Sequence, residues 1–176
     1  IHVLAALLVL GIVRRTLLLP RLSERWGTSA TWIGLVVALL WAVHPLQTES
    51  VTYVIQRAES LGALFYLLTL YCFVRGAEPG GSRFWLAGSV LACLLGMAAK
   101  EVMITAPIVV FLYDATFLSD SFFAPLRCRW RFYLALAATW LLLAYLVCST
   151  ALLGNRPSVP SSFSYAISQP AVILYY

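Results

Sequence analysis

Apolar residues come in long runs, separated by short polar breaks. Residues 1–19 are apolar except for His2 and the Arg14-Arg15 pair, and residues 20–29 form a loop carrying Arg21, Glu24 and Arg25. Residues 30–43 are apolar, with Trp32 and Trp41 near the ends, where an interfacial aromatic belt would stand. Pro45 closes that helix, because the residue before a proline, here His44, is pushed out of helical geometry. Residues 49–74 predict one long helix with Thr48 as its N-cap and a wholly apolar second half. The stretch RGAEPGGSR at 75–83 is a loop by its Gly, Pro and charge content. Two more runs, 84–99 and 102–118, are parted only by Lys100-Glu101, and Pro107 lies inside the second. A polar, basic connection at 114–131 follows, then a run at 132–153 of about the twenty residues a bilayer requires. After a Pro/Ser-rich loop at 154–164, residues 166–176 begin another run. The pattern predicts an all-α polytopic transmembrane helix bundle of about six spans plus the start of another.

Composition agrees. Hydrophobic residues make up 62% of the chain and charged residues 11%, with a mean hydropathy of +0.89, whereas about a quarter of a soluble domain is charged. The net charge of +5 does not point to nucleic acid, because the basic residues sit in short breaks between apolar runs. Cys72, Cys93, Cys128 and Cys148 have no CxxC spacing and read as small buried side chains rather than a disulfide or metal set. The chain begins at Ile1 inside an apolar run, so it is expected to be an internal fragment of a longer membrane protein.

Orientation follows from the basic residues. With strict alternation, the breaks at 14–28, 75–83 and 114–131 share one side and hold Arg14, Arg15, Arg21, Arg25, Arg75, Arg83, Arg127, Arg129 and Arg131. Of the 12 Lys and Arg, that leaves Arg57, Lys100 and Arg156 opposite. The bias makes the arginine-rich side cytoplasmic. The far side then carries His44, Glu49, Arg57, Glu59, Lys100 and Glu101, charges that topology does not account for.

Those residues form the candidate site. On a helix at ~100° per residue, Tyr53, Gln56 and Ser60 fall within roughly 40° of Glu49, with Arg57 and Glu59 about 80° to either side. Glu59 lies about 15 Å below the helix start, too deep for lipid, so this face looks into protein or a water-filled cavity. The competing reading pairs Glu49, Arg57 and Glu59 with one another as helix glue. Lys100 can offer a compact cation to a phosphate, and Glu101 can hold it or accept a proton; alternatively the pair is an interfacial hairpin tip. His44 is either a helix-end residue or a ligand or base. His2 has no assigned role. No HExxH, GxSxG, Walker A or paired-Cys motif occurs.

HPLQTESVTYVIQRAESLGALFYLLTLYCFVR, followed by GMAAKEVMITAPIVVFLYD, resembles the membrane half of the transmembrane and tetratricopeptide-repeat proteins, especially their bacterial relatives. The closing SYAISQPAVILYY is similar too. These are GT-C-type glycosyltransferases related to protein O-mannosyltransferases. The resemblance implies a GT-C-like fold and an inverting transfer from a polyprenyl- or dolichyl-phosphate sugar to an acceptor, a protein hydroxyl, on the lumenal or periplasmic face. It implies residence in a bacterial inner membrane or the endoplasmic reticulum membrane. His44, Glu49, Arg57, Glu59, Lys100 and Glu101 match the family's polar positions and are assigned to substrate binding. The family's acidic catalytic residue lies upstream of Ile1, and the repeat domain downstream, so residues 1–176 are expected to be an inactive fragment of one transmembrane domain. No tightly bound cofactor and no metal-binding residue is assigned; whether a divalent metal takes part stays open.

The chemistry suits the residues. A departing lipid phosphate is an anion, which Arg57 and Lys100 can stabilise while Glu49 and Glu59 orient Arg57 or the acceptor hydroxyl. Two other classes remain open: a secondary transporter with an intramembrane polar path, and a helical scaffold for a repeat domain. Crowding of the polar groups at one face disfavours the first, and the depth of Arg57 and Glu59 the second.

Overall fold

The computed structural model describes residues 1–45, 57–119 and 121–152, with the side chains at 57 and 150–152 outside the description. Every regular element among the described residues is helical: α1 (His2–Leu17), α2 (Pro20–Trp26), α3 (Ala30–Ala42), α4 (Arg57–Ala77), α5 (Arg83–Ala99), α6 (Ala106–Tyr113), α7 (Ala124–Cys128) and α8 (Trp130–Leu152). The chain divides into two compact units, Ile1–Leu143 and Ala144–Tyr176. In the second, the described residues are the last turns of α8; the first holds the earlier elements and the start of α8.

The loop expected at 20–29 is a correction. Leu19 is buried and extended, and Pro20 opens α2 at a first-turn position, where its missing N–H leaves no bond unmade. A 3-10 turn, Gly27–Ser29, then leads into α3. α3 returns along α1: Arg14 Nε donates to Thr31 Oγ1 at 3.1 Å near one end, and His2 Nε2 meets the Ala42 carbonyl at 2.9 Å at the other.

α4 and α5 form a hairpin. Gly80 takes φ +81 in the turn, a left-handed conformation that glycine adopts without Cβ strain. Ser82 Oγ accepts the Phe84 N–H as N-cap. Small residues let the two helices approach: Gly88 faces Cys72, and Ser89 Oγ donates to the Thr69 carbonyl at 2.8 Å.

The helix expected at 102–118 with an interior proline comes in three pieces. A 3-10 segment, Glu101–Thr105, precedes α6, and a π-helical turn, Asp114–Leu118, follows it. Pro107 therefore stands in the first turn of α6 and interrupts no α-helical bond. Phe73 anchors the core, stacked on Phe132 at 5.3 Å and edge-on to Tyr113 at 6.4 Å, with Val74, Met103 and Leu136 buried in the same cluster. Of the cysteines, Cys72 and Cys93 are buried as expected, whereas Cys128 and Cys148 are exposed.

The polar connection expected at 114–131 is the second correction. Asp114 is fully buried. Its Oδ1 accepts from Arg129 Nη1 at 2.8 Å and Ser119 Oγ at 3.1 Å, and Oδ2 accepts from Tyr133 Oη at 2.7 Å. A buried carboxylate is tolerated where charge and hydrogen bonds compensate it in this way. At the same end, Arg15 Nη1 lies 2.7 and 2.5 Å from the two Glu78 oxygens, and Arg21 reaches the Thr116 and Ser119 carbonyls. The breaks at 14–28, 75–83 and 114–131 thus converge at one end of the bundle.

Three helices among the described residues are long and apolar enough to cross a membrane: Ala58–Ala77, Glu101–Leu118 and Trp130–Ser149. His2–Leu17 and Pro20–Ala42 pass that test only together, as a pair bent by 95°, which would make a fourth; Arg83–Ala99 is apolar but shorter.

Candidate functional site

The opposite end of the bundle is built around Lys100. This residue is extended (φ −157, ψ 141), a one-residue link between the end of α5 and the 3-10 segment at Glu101. Its N–H still closes the last turn of α5 on the Gly96 carbonyl at 2.9 Å. The backbone therefore turns sharply here, and the side chain reaches α4, where Nζ donates to Glu59 Oε1. Gly62, one turn after Glu59, makes room for the stem: a Cβ at Gly62 would stand 3.2 Å from Lys100 Cβ. Two polar breaks far apart in sequence become one site.

The pair opens on a cleft of roughly 420 Å³ whose lining includes Trp41, Glu59, Tyr66, Leu67, Lys100 and Met103. Tyr66 Oη sits 3.3 Å from Thr105 Oγ1, and Trp140 Nε1 donates to the Ile104 carbonyl at 3.1 Å, which ties the 3-10 segment to α4 and α8. An apolar, aromatic wall with a few convergent charges is the usual form of a small-molecule site. The Lys100 and Glu59 side chains are 32% and 54% exposed. An ion pair that open contributes about 0–1 kcal/mol to stability. Its chemical value is presentation: Glu59 engages one of the three donors of the ammonium.

None of the other sequence-assigned residues is among the described lining of this cleft. Arg57 is the first residue of α4, two positions before Glu59, and its side chain lies outside the description. Glu101 and His44 are exposed and absent from the cleft lining, His44 standing just beyond α3. Glu49, the Thr48 cap and the helix start at 49–56 lie outside the described residues. Sequence reasoning missed Trp41, Gly62 and Tyr66. Gly62 left a signal as a small residue one helical turn from Glu59, and Trp41 only as part of an interfacial belt.

Together these observations describe an all-α membrane protein with a charged cleft at one end. Its curated relatives are protein O-mannosyl-transferases, the group to which the HPLQTE and AAKE blocks point. Protein O-mannosyl-transferase TMTC3 of Homo sapiens is 33% identical over 97 residues, 54% of this chain and 10% of the relative. Tmtc2 of Drosophila melanogaster is 34% identical over 119 residues, 65% of this chain and 12% of the relative. TMTC4 of Homo sapiens reaches 42% over 78 residues, 41% of this chain and 10% of the relative. The chain thus spans about a tenth of the length of the curated relatives it matches. No family model and no solved structure matches the chain.

Proposed function

We propose that residues 1–176 are a segment of one GT-C-type transmembrane domain of about six spans, in a glycosyltransferase that moves mannose from a polyprenyl-phosphate carrier to a protein hydroxyl. The cleft end faces the lumen or periplasm, and the arginine-rich end the cytoplasm. The observation that carries this reading is the Glu59–Lys100 pair opening on an apolar, aromatic cleft at the arginine-poor end. The names of the relatives supply the reaction class.

In the transfer, the acceptor hydroxyl attacks the anomeric carbon from the face opposite the phosphate. The new glycosidic C–O bond forms as the bond from the anomeric carbon to the phosphate oxygen breaks. The lipid phosphate leaves with that electron pair, and the hydroxyl proton passes to a carboxylate base, for which the resemblance supplies an acidic residue upstream of Ile1. Lys100 and Arg57 stabilise the charge gathering on the phosphate. Glu59 keeps the ammonium aimed into the cleft, and His44, Glu49 and Glu101 are assigned to substrate binding by the resemblance alone.

The test is mannosyl transfer from a synthetic polyprenyl-phosphate mannose by the full-length protein in nanodiscs. Lys100→Ala is expected to lower transfer at least tenfold, and Lys100→Arg to retain part of it. Unchanged transfer by Lys100→Ala in a normally folded protein would remove the cleft from the reaction.

A further inference from the structure

His2, polar within the apolar residues 1–19, is what the proposed function leaves unused. The last four carbonyls of a helix have no partner within it. Ala42 ends α3, and His2 Nε2 lies 2.9 Å from its carbonyl, so that nitrogen carries the proton and donates. The bond fixes the imidazole plane. That plane lies flat on the Trp41 indole, with ring centroids 5.2 Å apart and 18° between planes. One face of the indole is thereby covered and its rotamer held, while Trp41 lines the cleft beside Glu59, Tyr66 and Lys100.

We propose that Trp41 is the stacking platform for the hexose ring of the donor, and that His2 is the positioning residue that holds it. This rests on the function proposed above. A pyranose carries C–H groups on its faces and hydroxyls around its rim. The C–H groups suit the electron-rich face of an indole, and the hydroxyls suit a carboxylate and a phenol at its border. Trp41 supplies the first and Glu59 with Tyr66 the second, while Lys100 stands where the adjoining phosphate is bound. An isoprenoid tail would need apolar walls only, with no indole clamped in one orientation.

Two probes separate the sugar from its carrier: a short-chain polyprenyl phosphate and the same lipid bearing mannose, each titrated into the full-length protein in nanodiscs by calorimetry. Trp41→Ala is expected to weaken the mannosyl lipid roughly tenfold, the upper range of an aromatic contact, and to leave the bare lipid phosphate unchanged. Trp41→Phe should keep most of the preference, and Trp41→Leu, equally apolar but without a π face, should lose it; this comparison decides the matter if the alanine variant unfolds. His2→Ala should lower the mannosyl-lipid affinity about threefold with no effect on the bare lipid. Equal loss for both lipids, or loss for neither, overturns the platform while the proposed function stands. A wild-type protein that binds neither lipid overturns both.

Discussion

Arg129 Nη1 lies 2.8 Å from Asp114 Oδ1 and 3.0 Å from Oδ2, joining the π-helical turn that ends one candidate span to the residue just before the next. Asp114 is wholly buried, and Arg129 also reaches the Ala77 carbonyl at the end of α4, so three helices meet on one ion pair.

Arg129→Ala would leave that carboxylate buried without its cation. The expected cost is about 3–5 kcal/mol, the range for breaking a buried pair from one side. Asp114→Asn should cost less than Arg129→Ala, because the amide oxygen still accepts from Tyr133. Thermal unfolding in detergent, followed by circular dichroism, gives the order.

Gly62 and Lys100 make the second case. Gly62→Val should crowd the lysine stem and part Nζ from Glu59. A double-mutant cycle with Glu59→Gln and Lys100→Met is expected to show roughly 0.5 kcal/mol of coupling in the wild type, as for a half-exposed pair. In the Gly62→Val background the coupling should vanish; if it survives, the glycine is not what permits the approach.

Topology is testable by thiol labelling after replacement of the exposed Cys128 and Cys148. Cysteines at Ser23, Gly80 and Asp120 should react from the cytoplasmic side, and at Gln47 and Ser158 from the other. Labelling at Gln47 from the cytoplasm would invert the orientation and move the cleft away from a lumenal acceptor.

Arg57 is the first described residue of α4, two positions before Glu59. In the full-length protein, Arg57→Ala should lose most transfer, on the order of 3 kcal/mol by analogy with oxyanion donors, while still inserting and folding. Arg57→Lys should recover part, since charge stays while the forked geometry on phosphate goes. Normal transfer by the alanine variant would take Arg57 out of the site.

The sequence by itself determined the class. Apolar run lengths and the placement of arginines are local properties: a run that crosses lipid must satisfy its backbone N–H and C=O groups within itself, as a helix does, and the arginine bias sets the polarity along the bundle. They also marked Glu59 and Lys100 as charges out of place. What they could not decide was pairing. The break at 114–131 reads the same whether its aspartate meets water or an arginine, and only the packing of α4 and α8 against the π turn buried Asp114 against Arg129. Proline at 20 looked like a loop, and became a helix start because Leu19 found a buried seat beside it. Glu59 and Lys100, 41 positions apart, were expected at one shared cavity because both polar breaks fall at the same membrane face, but the sequence did not single out this pair within it. That contact arises because Lys100 is extended between two helices and Gly62 has no side chain to hold it off, and with it came the indole of Trp41, which the sequence had offered only as part of an interfacial belt.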